Sequence, residues 1–258
     1  MNKFFVATAA FLGLATTAFA ADMPMAAPYT KAPVFAPAVF SWTGCYIGVE
    51  GGGNWGHSQQ TARTGPAVGA SMTGNFNLSG GIVGGTIGCN YQVSNVVLGI
   101  ENDYSWTNKQ GAVQQIAPFD PGVVNSTREK WIDTLRGRAG FAIDRFMVYG
   151  TAGAAFAGTD VTVSNPAFGA VTSAQTRAGW VAGIGGEWAA LVDSWGAVTF
   201  KLEYLHADFG TKQYFNPALL LAGGNATVVT RDVKLTDDMV RAGVNVKLNW
   251  GGPVVAKY

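Results

Sequence analysis

Of the 258 residues, 35 are glycine and only 13% are Asp, Glu, Lys or Arg. The glycine share is about twice, and the charged share about half, that of an ordinary soluble domain. With 48% of residues apolar and 12% aromatic the chain has enough to fold rather than stay disordered, and a net charge of +1 without a basic run offers nucleic acid no footing.

The first twenty residues read Lys3, an apolar run from residue 4 to 14, and Ala18-Phe19-Ala20 before Ala21. That is the layout of a cleaved export signal over 1–20. No cysteine stands at the cleavage point, which argues against a lipid anchor. Residues 21–41 carry Pro24, Pro28, Pro33 and Pro37 amid alanines and read as an extended periplasmic lead-in. Beyond it, every long charge-free stretch is broken by proline, glycine or polar residues, so no transmembrane helix is expected.

From Cys45 onward the period is two. Cys45, Ile47, Val49, Gly51, Gly53 and Trp55 alternate with Tyr46, Gly48, Glu50, Gly52 and Asn54. The pattern returns at Val83–Tyr91, at Val96–Trp106 and around Leu135, Ala139 and Phe141. A glycine-rich apolar run at 146–157 has no assignable facing. Alternation resumes around Trp180–Trp188, Val198–Tyr204 and Val240–Leu248. Asn102 and Asp133 fall on the apolar side and are expected near strand ends.

Eight strands of about 10 to 13 residues suit a tilted crossing of a bilayer. Their connections alternate: 92–95, 143–145 and 190–196 are short, whereas 57–76, 107–129, 158–176 and 210–232 are long and polar. An all-β, eight-stranded antiparallel transmembrane barrel over 42–250 is expected, with short periplasmic turns, four long extracellular loops and a tail at 251–258. Trp55, Trp106, Trp131 and Trp180 fall near the long-loop ends, and Trp42, Trp188, Trp195 and Trp250 near the short-turn ends, as two aromatic belts. A soluble sandwich would alternate too, but would set its tryptophans mid-strand in a core.

The segments Trp42-Thr43-Gly44-Cys45-Tyr46-Ile47-Gly48, Gly84-Gly85-Thr86-Ile87-Gly88-Cys89-Asn90-Tyr91-Gln92, Thr134-Leu135-Arg136-Gly137-Arg138-Ala139-Gly140, Lys201-Leu202-Glu203-Tyr204-Leu205 and Val240-Arg241-Ala242-Gly243-Val244-Asn245 occur in that order. Over about residues 42–248 the chain resembles the small outer-membrane immunogens of Gram-negative bacteria, porin-like proteins with an OmpA-like barrel. The resemblance implies an outer-membrane location, an envelope-integrity role and no enzymatic activity. It implies outer-membrane lipid and lipopolysaccharide as surroundings and the barrel-assembly machinery as a partner, and leaves peptidoglycan and host contacts open. In such barrels the last strand carries the assembly signal, which Arg241, Gly243, Val246 and Leu248 fit. The residues after Trp250 depart from it, so either Trp250 or Tyr258 is the aromatic that is read.

Several motifs carry no chemistry. Gly51, Gly53 and Gly56 spell G-x-G-x-x-G, but within a strand rather than opening a helix. Asn125-Ser126-Thr127 and Asn225-Ala226-Thr227 match a glycosylation pattern without meaning in a bacterial envelope. His57 and His206 are the only histidines and lack metal-ligand spacing, so neither metal nor cofactor is expected. His206 with Asp208 near the outer rim is the one enzyme-like arrangement, and no serine or second histidine stands at matching spacing.

The expected function is therefore structural: a surface-exposed envelope barrel, at most a narrow pore, with an oligomeric general diffusion porin as the alternative. Two site expectations accompany it. Cys45 and Cys89 share a parity and come level in the first hairpin, predicting a disulfide in the oxidising periplasm. The inward parity collects Glu50, Glu101, Asp103, Glu187 and Glu203 with Arg136, Arg138, Lys201, Arg241 and Lys247. Five acids against five bases in so narrow a bore predict an ion-pair network, centred on Arg136 and Arg138 with Glu50, Glu101 and Glu203, that plugs the lumen.

Overall fold

The structure is a computed structural model that describes residues 40–65, 67–166, 169–215 and 229–248. The export signal, the lead-in up to residue 39, Trp250 and the tail lie outside the described residues. Nine strands follow in chain order: β1 (Gly44–Ala62), β2 (Phe76–Val93), β3 (Val96–Thr107), β4 (Gln110–Gln114), β5 (Val124–Ile143), β6 (Phe146–Asn165), β7 (Gly169–Asp193), β8 (Gly196–Tyr214) and β9 (Arg231–Leu248).

Apart from β3 and β4, each strand pairs antiparallel with its chain neighbour, and β1 also pairs with β9, so the sheet closes on itself. Strand β4 resumes the line of β3 after a two-residue break, sharing β5 and β2 as partners, so the ring has eight staves. Closure leaves no sheet edge, which is what a backbone in hydrocarbon requires. Two-residue turns join β2 to β3, β5 to β6 and β7 to β8. Ser94 and Asp144 take left-handed backbone angles (φ 54° and 50°) within the first two.

The alternation separates two surfaces. Outward side chains such as Val49 (66% exposed), Ile100 (64%), Ile184 (67%) and Leu202 (62%) form an apolar wall whose natural solvent is hydrocarbon. Inward positions are filled by side chains or left as glycine where staves crowd. A Cβ on inward-facing Gly52 or Gly153 would stand 2.0 Å from a neighbouring strand's carbonyl oxygen.

Three expectations change. The strands run to 18–25 residues, β3 and β4 apart, because the staves continue well past the bilayer into the segments expected as loops. The outward face becomes polar there, as at Asp160, Thr162 and Ser164 and at Asp232, Lys234 and Thr236, while Val161, Val163, Val233 and Leu235 turn inward, so the apolar parity changes sides while pairing persists. Trp42 belongs to no belt: it is 1% exposed and turned into the lumen, while Trp55, Trp106, Trp180, Trp188 and Trp195 are all exposed outside and Trp131 is half-buried, stacked on Tyr104. Asn102 and Asp133 lie inside β3 and β5 rather than at strand ends. They face outward as a pair, with Asn102 Nδ2 donating to Asp133 Oδ1 (2.8 Å) and to the Thr134 carbonyl (2.9 Å), which satisfies the two polar groups against lipid.

Candidate functional site

The lumen is the site, and its filling is layered. At the periplasmic mouth the chain before β1 folds inward. Phe40 and Trp42 meet edge to face (5.0 Å between ring centroids) and pack with Val97, Ala142, Met147, Tyr149, Ala189 and Ala197. The Trp42 backbone N–H donates to Gln92 Oε1 (2.7 Å) and its indole N–H to the Asp144 carbonyl (3.1 Å), fixing the ring across the opening. Lys247 stands 4.9 Å over the Phe40 ring and donates to the Ser41 carbonyl.

Above this lies the charge layer. Arg136 donates to Asp103 (2.5 Å), Glu101 (2.6 Å) and Glu203 (2.7 Å). Arg241 reaches Glu50, Glu203 (2.7 Å) and Asp103 (3.3 Å), and Lys201 reaches Glu50 and Glu101 (both 3.2 Å). Arg138 bridges Glu187 (2.7 Å) and Glu101 (3.2 Å) and lies 4.0 Å over the Tyr149 ring. Glu187 also accepts from Thr199 (2.5 Å) and Asn245 (3.0 Å). No side chain in these ion pairs is more than 2% exposed.

Nine of the ten expected lumen charges therefore form one lattice, and Lys247 stands apart at the mouth. The centre differs from expectation: Glu50 pairs with Arg241 and Lys201, not with Arg136 or Arg138. Cys45 and Cys89 face each other in the β1–β2 register and are disulfide-bonded, on the outer side of the wall.

Further toward the extracellular end the bore is apolar. Leu78, Ile82, Ile132, Val181, Leu205, Phe209, Leu235 and Met239 are buried together there. Lys109 threads this region, bridging Glu129 (3.1 Å) and Asp237, all three side chains fully buried. The top layer holds Arg231, which donates to Gln60 Oε1 (2.9 Å) and Asn125 Oδ1, and Arg177, which donates to the Gly210 and Val233 carbonyls (2.7 Å each). Val123, Val161, Val163, Tyr214, Phe215 and Val233 surround them. Arg231 lies seven residues beyond Trp55 along the paired β1 register, outside the bilayer, and burial holds its guanidinium down to about 10.

His206 and Asp208 do not work together. His206 Nδ1 is 2.9 Å from Asp238 on the outer wall, where Tyr204 also donates to Asp238 (2.6 Å), while Asp208 accepts the Gly210 N–H (2.7 Å). Among the described residues no group of three or more His, Cys, Asp or Glu is placed to hold a metal ion. Sequence reasoning missed the Phe40–Trp42 plug, Lys109, Glu129, Asp237, Arg177 and Arg231. Parity alone could have found four of these: Asp237 and Arg231 share the parity of Arg241, Lys109 that of Asp103, and Arg177 that of Glu187.

A closed antiparallel ring with an apolar outside, exposed tryptophans near both ends of the crossing and a polar, filled inside defines an outer-membrane β-barrel protein. The outer membrane protein beta-barrel domain family matches residues 7–247, and the chain belongs to that family. It is 33% identical over 249 residues to the 31 kDa outer-membrane immunogenic protein of Brucella melitensis, covering 90% of this chain and 94% of that one. It is 29% identical to the 25 kDa outer-membrane immunogenic protein of Brucella abortus, covering 96% and 98%. Among solved structures it is similar to OprG of Pseudomonas aeruginosa, at 15% identity and a TM-score of 0.48, with 79% of this chain and 96% of that one covered.

Proposed function

We propose that this barrel is a structural, surface-exposed component of the envelope whose lumen is closed to solutes rather than a diffusion pore. The observation that carries the reading is the charge lattice. Its arginines and lysines reach from β5, β8 and β9 to carboxylates on β1, β3, β7 and β8, so side chains from all around the ring meet in the middle of the bore. Charges taken from water are stable only when paired and hydrogen-bonded, and a bore wide enough for solute would hydrate them and make such dense pairing unnecessary. The outer-membrane names of the Brucella relatives, and their description as immunogenic, support exposure at the cell surface. Single-channel recording of the refolded monomer tests the reading: little conductance is expected. Large, steady conductance from a demonstrated monomer would overturn it in favour of the porin.

A further inference from the structure

The buried charges of the lumen do not cancel. Among the described residues eight buried bases (Lys109, Arg136, Arg138, Arg177, Lys201, Arg231, Arg241 and Lys247) stand against seven buried acids (Glu50, Glu101, Asp103, Glu129, Glu187, Glu203 and Asp237). The excess is one positive charge, and its place is readable. The lattice and Lys247 hold five of each sign. Lys109 sits between Glu129 and Asp237. Besides Lys247, which donates to the Ser41 carbonyl at the mouth, only Arg177 and Arg231, in the top layer, make no ion pair among the described residues.

Arg231 is the more isolated of the two. It is 1% exposed, its guanidinium is 5.1 Å from the Phe215 ring, and its only acceptors among the described residues are the neutral amides of Gln60 and Asn125. Among the described residues its Nε and the Asn125 Nδ2 have no hydrogen-bond acceptor. Arg177 donates to the carbonyl of Val233, two residues, or roughly 7 Å, along β9 from Arg231 on the same inward face, which puts both cations in this layer. Nor can the neighbouring chain supply an acid: residues 216–228 read NPALLLAGGNATV, without a carboxylate, and Asp22 is the only acid in all the undescribed segments. A guanidinium buried among valines and aromatics without an anion is costly.

We propose that the top layer of the lumen is a binding site for a small singly charged anion, held by Arg231 and Asn125 with Arg177 beside them. The anion cancels the excess charge and takes the unused Nε–H and amide hydrogens. The site stands whether or not the barrel conducts.

The test is the melting temperature of the refolded full-length barrel in chloride, acetate or bulky gluconate at constant ionic strength, for wild type and Arg231→Gln. In chloride, acetate or both, wild type melts higher than in gluconate. Above saturation each tenfold rise in the active anion adds roughly 3–5 °C. Arg231→Gln shows no such dependence and matches or exceeds wild type in gluconate, because the uncompensated cation is gone. Broadening of the chloride-35 resonance by wild-type barrel, competed by the active anion, supplies a readout that needs no variant. Equal anion dependence in wild type and variant, or wild-type melting and chloride linewidth indifferent to the anion, would overturn the site.

Discussion

Replacing Arg136 with Met keeps most of the side chain's length while removing its charge, and it asks what the lattice contributes to holding the barrel together. Arg136 faces three carboxylates, each of which retains another cation. Glu101 keeps Lys201 and Arg138, Asp103 keeps Arg241, and Glu203 keeps Arg241. The variant thus adds one net negative charge, spread over a site no more than 2% exposed, rather than leaving one bare ion. Removing one partner of a buried pair costs about 3–5 kcal/mol, and this sharing puts the expected loss near the lower figure. Against a total stability of about 5–15 kcal/mol the barrel still folds. Urea unfolding in lipid vesicles, followed by tryptophan fluorescence, measures the loss. The companion is Arg136→Met with Glu203→Gln, which removes one charge of each sign across the 2.7 Å contact. Its cost should fall short of the sum of the two single variants by about 1–3 kcal/mol. A strictly additive double variant, or a single variant costing less than about 1 kcal/mol, would mean that water solvates these charges and that the lattice holds nothing closed.

Three further outcomes follow from the geometry. Trp42→Ala should cost about 3–5 kcal/mol, the loss of a fully buried indole, whereas Trp188→Ala on the outer wall should cost far less, as read in the same unfolding assay. Cys89→Ser opens a bridge of sequence separation 44 and should lower stability by about 2–4 kcal/mol, while unreduced wild type should show no free thiol on denaturation. Gly153→Ala forces a Cβ to within 2.0 Å of the Leu135 carbonyl oxygen and should impair folding, but Gly150→Ala, with nothing within 4 Å, should fold like wild type; the gel shift between folded and heat-denatured barrel reports both.

The strand pattern was legible between the belts because one face there must be apolar. Glu50, Glu101, Asp103, Glu187 and Glu203 followed from that parity. Legibility failed where the constraint lapsed. Past Trp55 on β1 the chain reads His57, Ser58, Gln59, Gln60 and Thr61, polar on both faces, so the continuing strand looked like a loop. Glu129 was unreadable for another reason: the register shifts between Glu129 and Trp131, so counting back from Arg136 puts it on the wrong side. Trp42 looked like a belt residue because a tryptophan near a strand end has two amphipathic solutions, the membrane interface or a mouth that needs a plug. Only the neighbouring Phe40 and the acceptors on Gln92 and Asp144 decide between them.

Were the lattice the whole of the plug, neutralising Arg136 and Arg138 would open the bore; the layered filling gives a different outcome. An ion entering from outside must pass the top layer, then the apolar region of Leu78, Ile132, Leu205 and Met239, then the lattice, and finally the Phe40–Trp42 plug. Seals in series do not add like resistances of similar size, because the tightest one sets the current. Losing Arg136 and Arg138 also leaves the apolar layers dry, and an apolar constriction excludes ions without any charge of its own. The double variant Arg136→Ala, Arg138→Ala should therefore lose stability yet stay nearly non-conducting in planar bilayers. Adding Trp42→Ala and Leu205→Ala, one cut in each apolar seal, should be what first admits current. Conductance that opens fully with the arginine pair alone would show that the apolar layers do not seal, leaving the lattice as the whole of the plug.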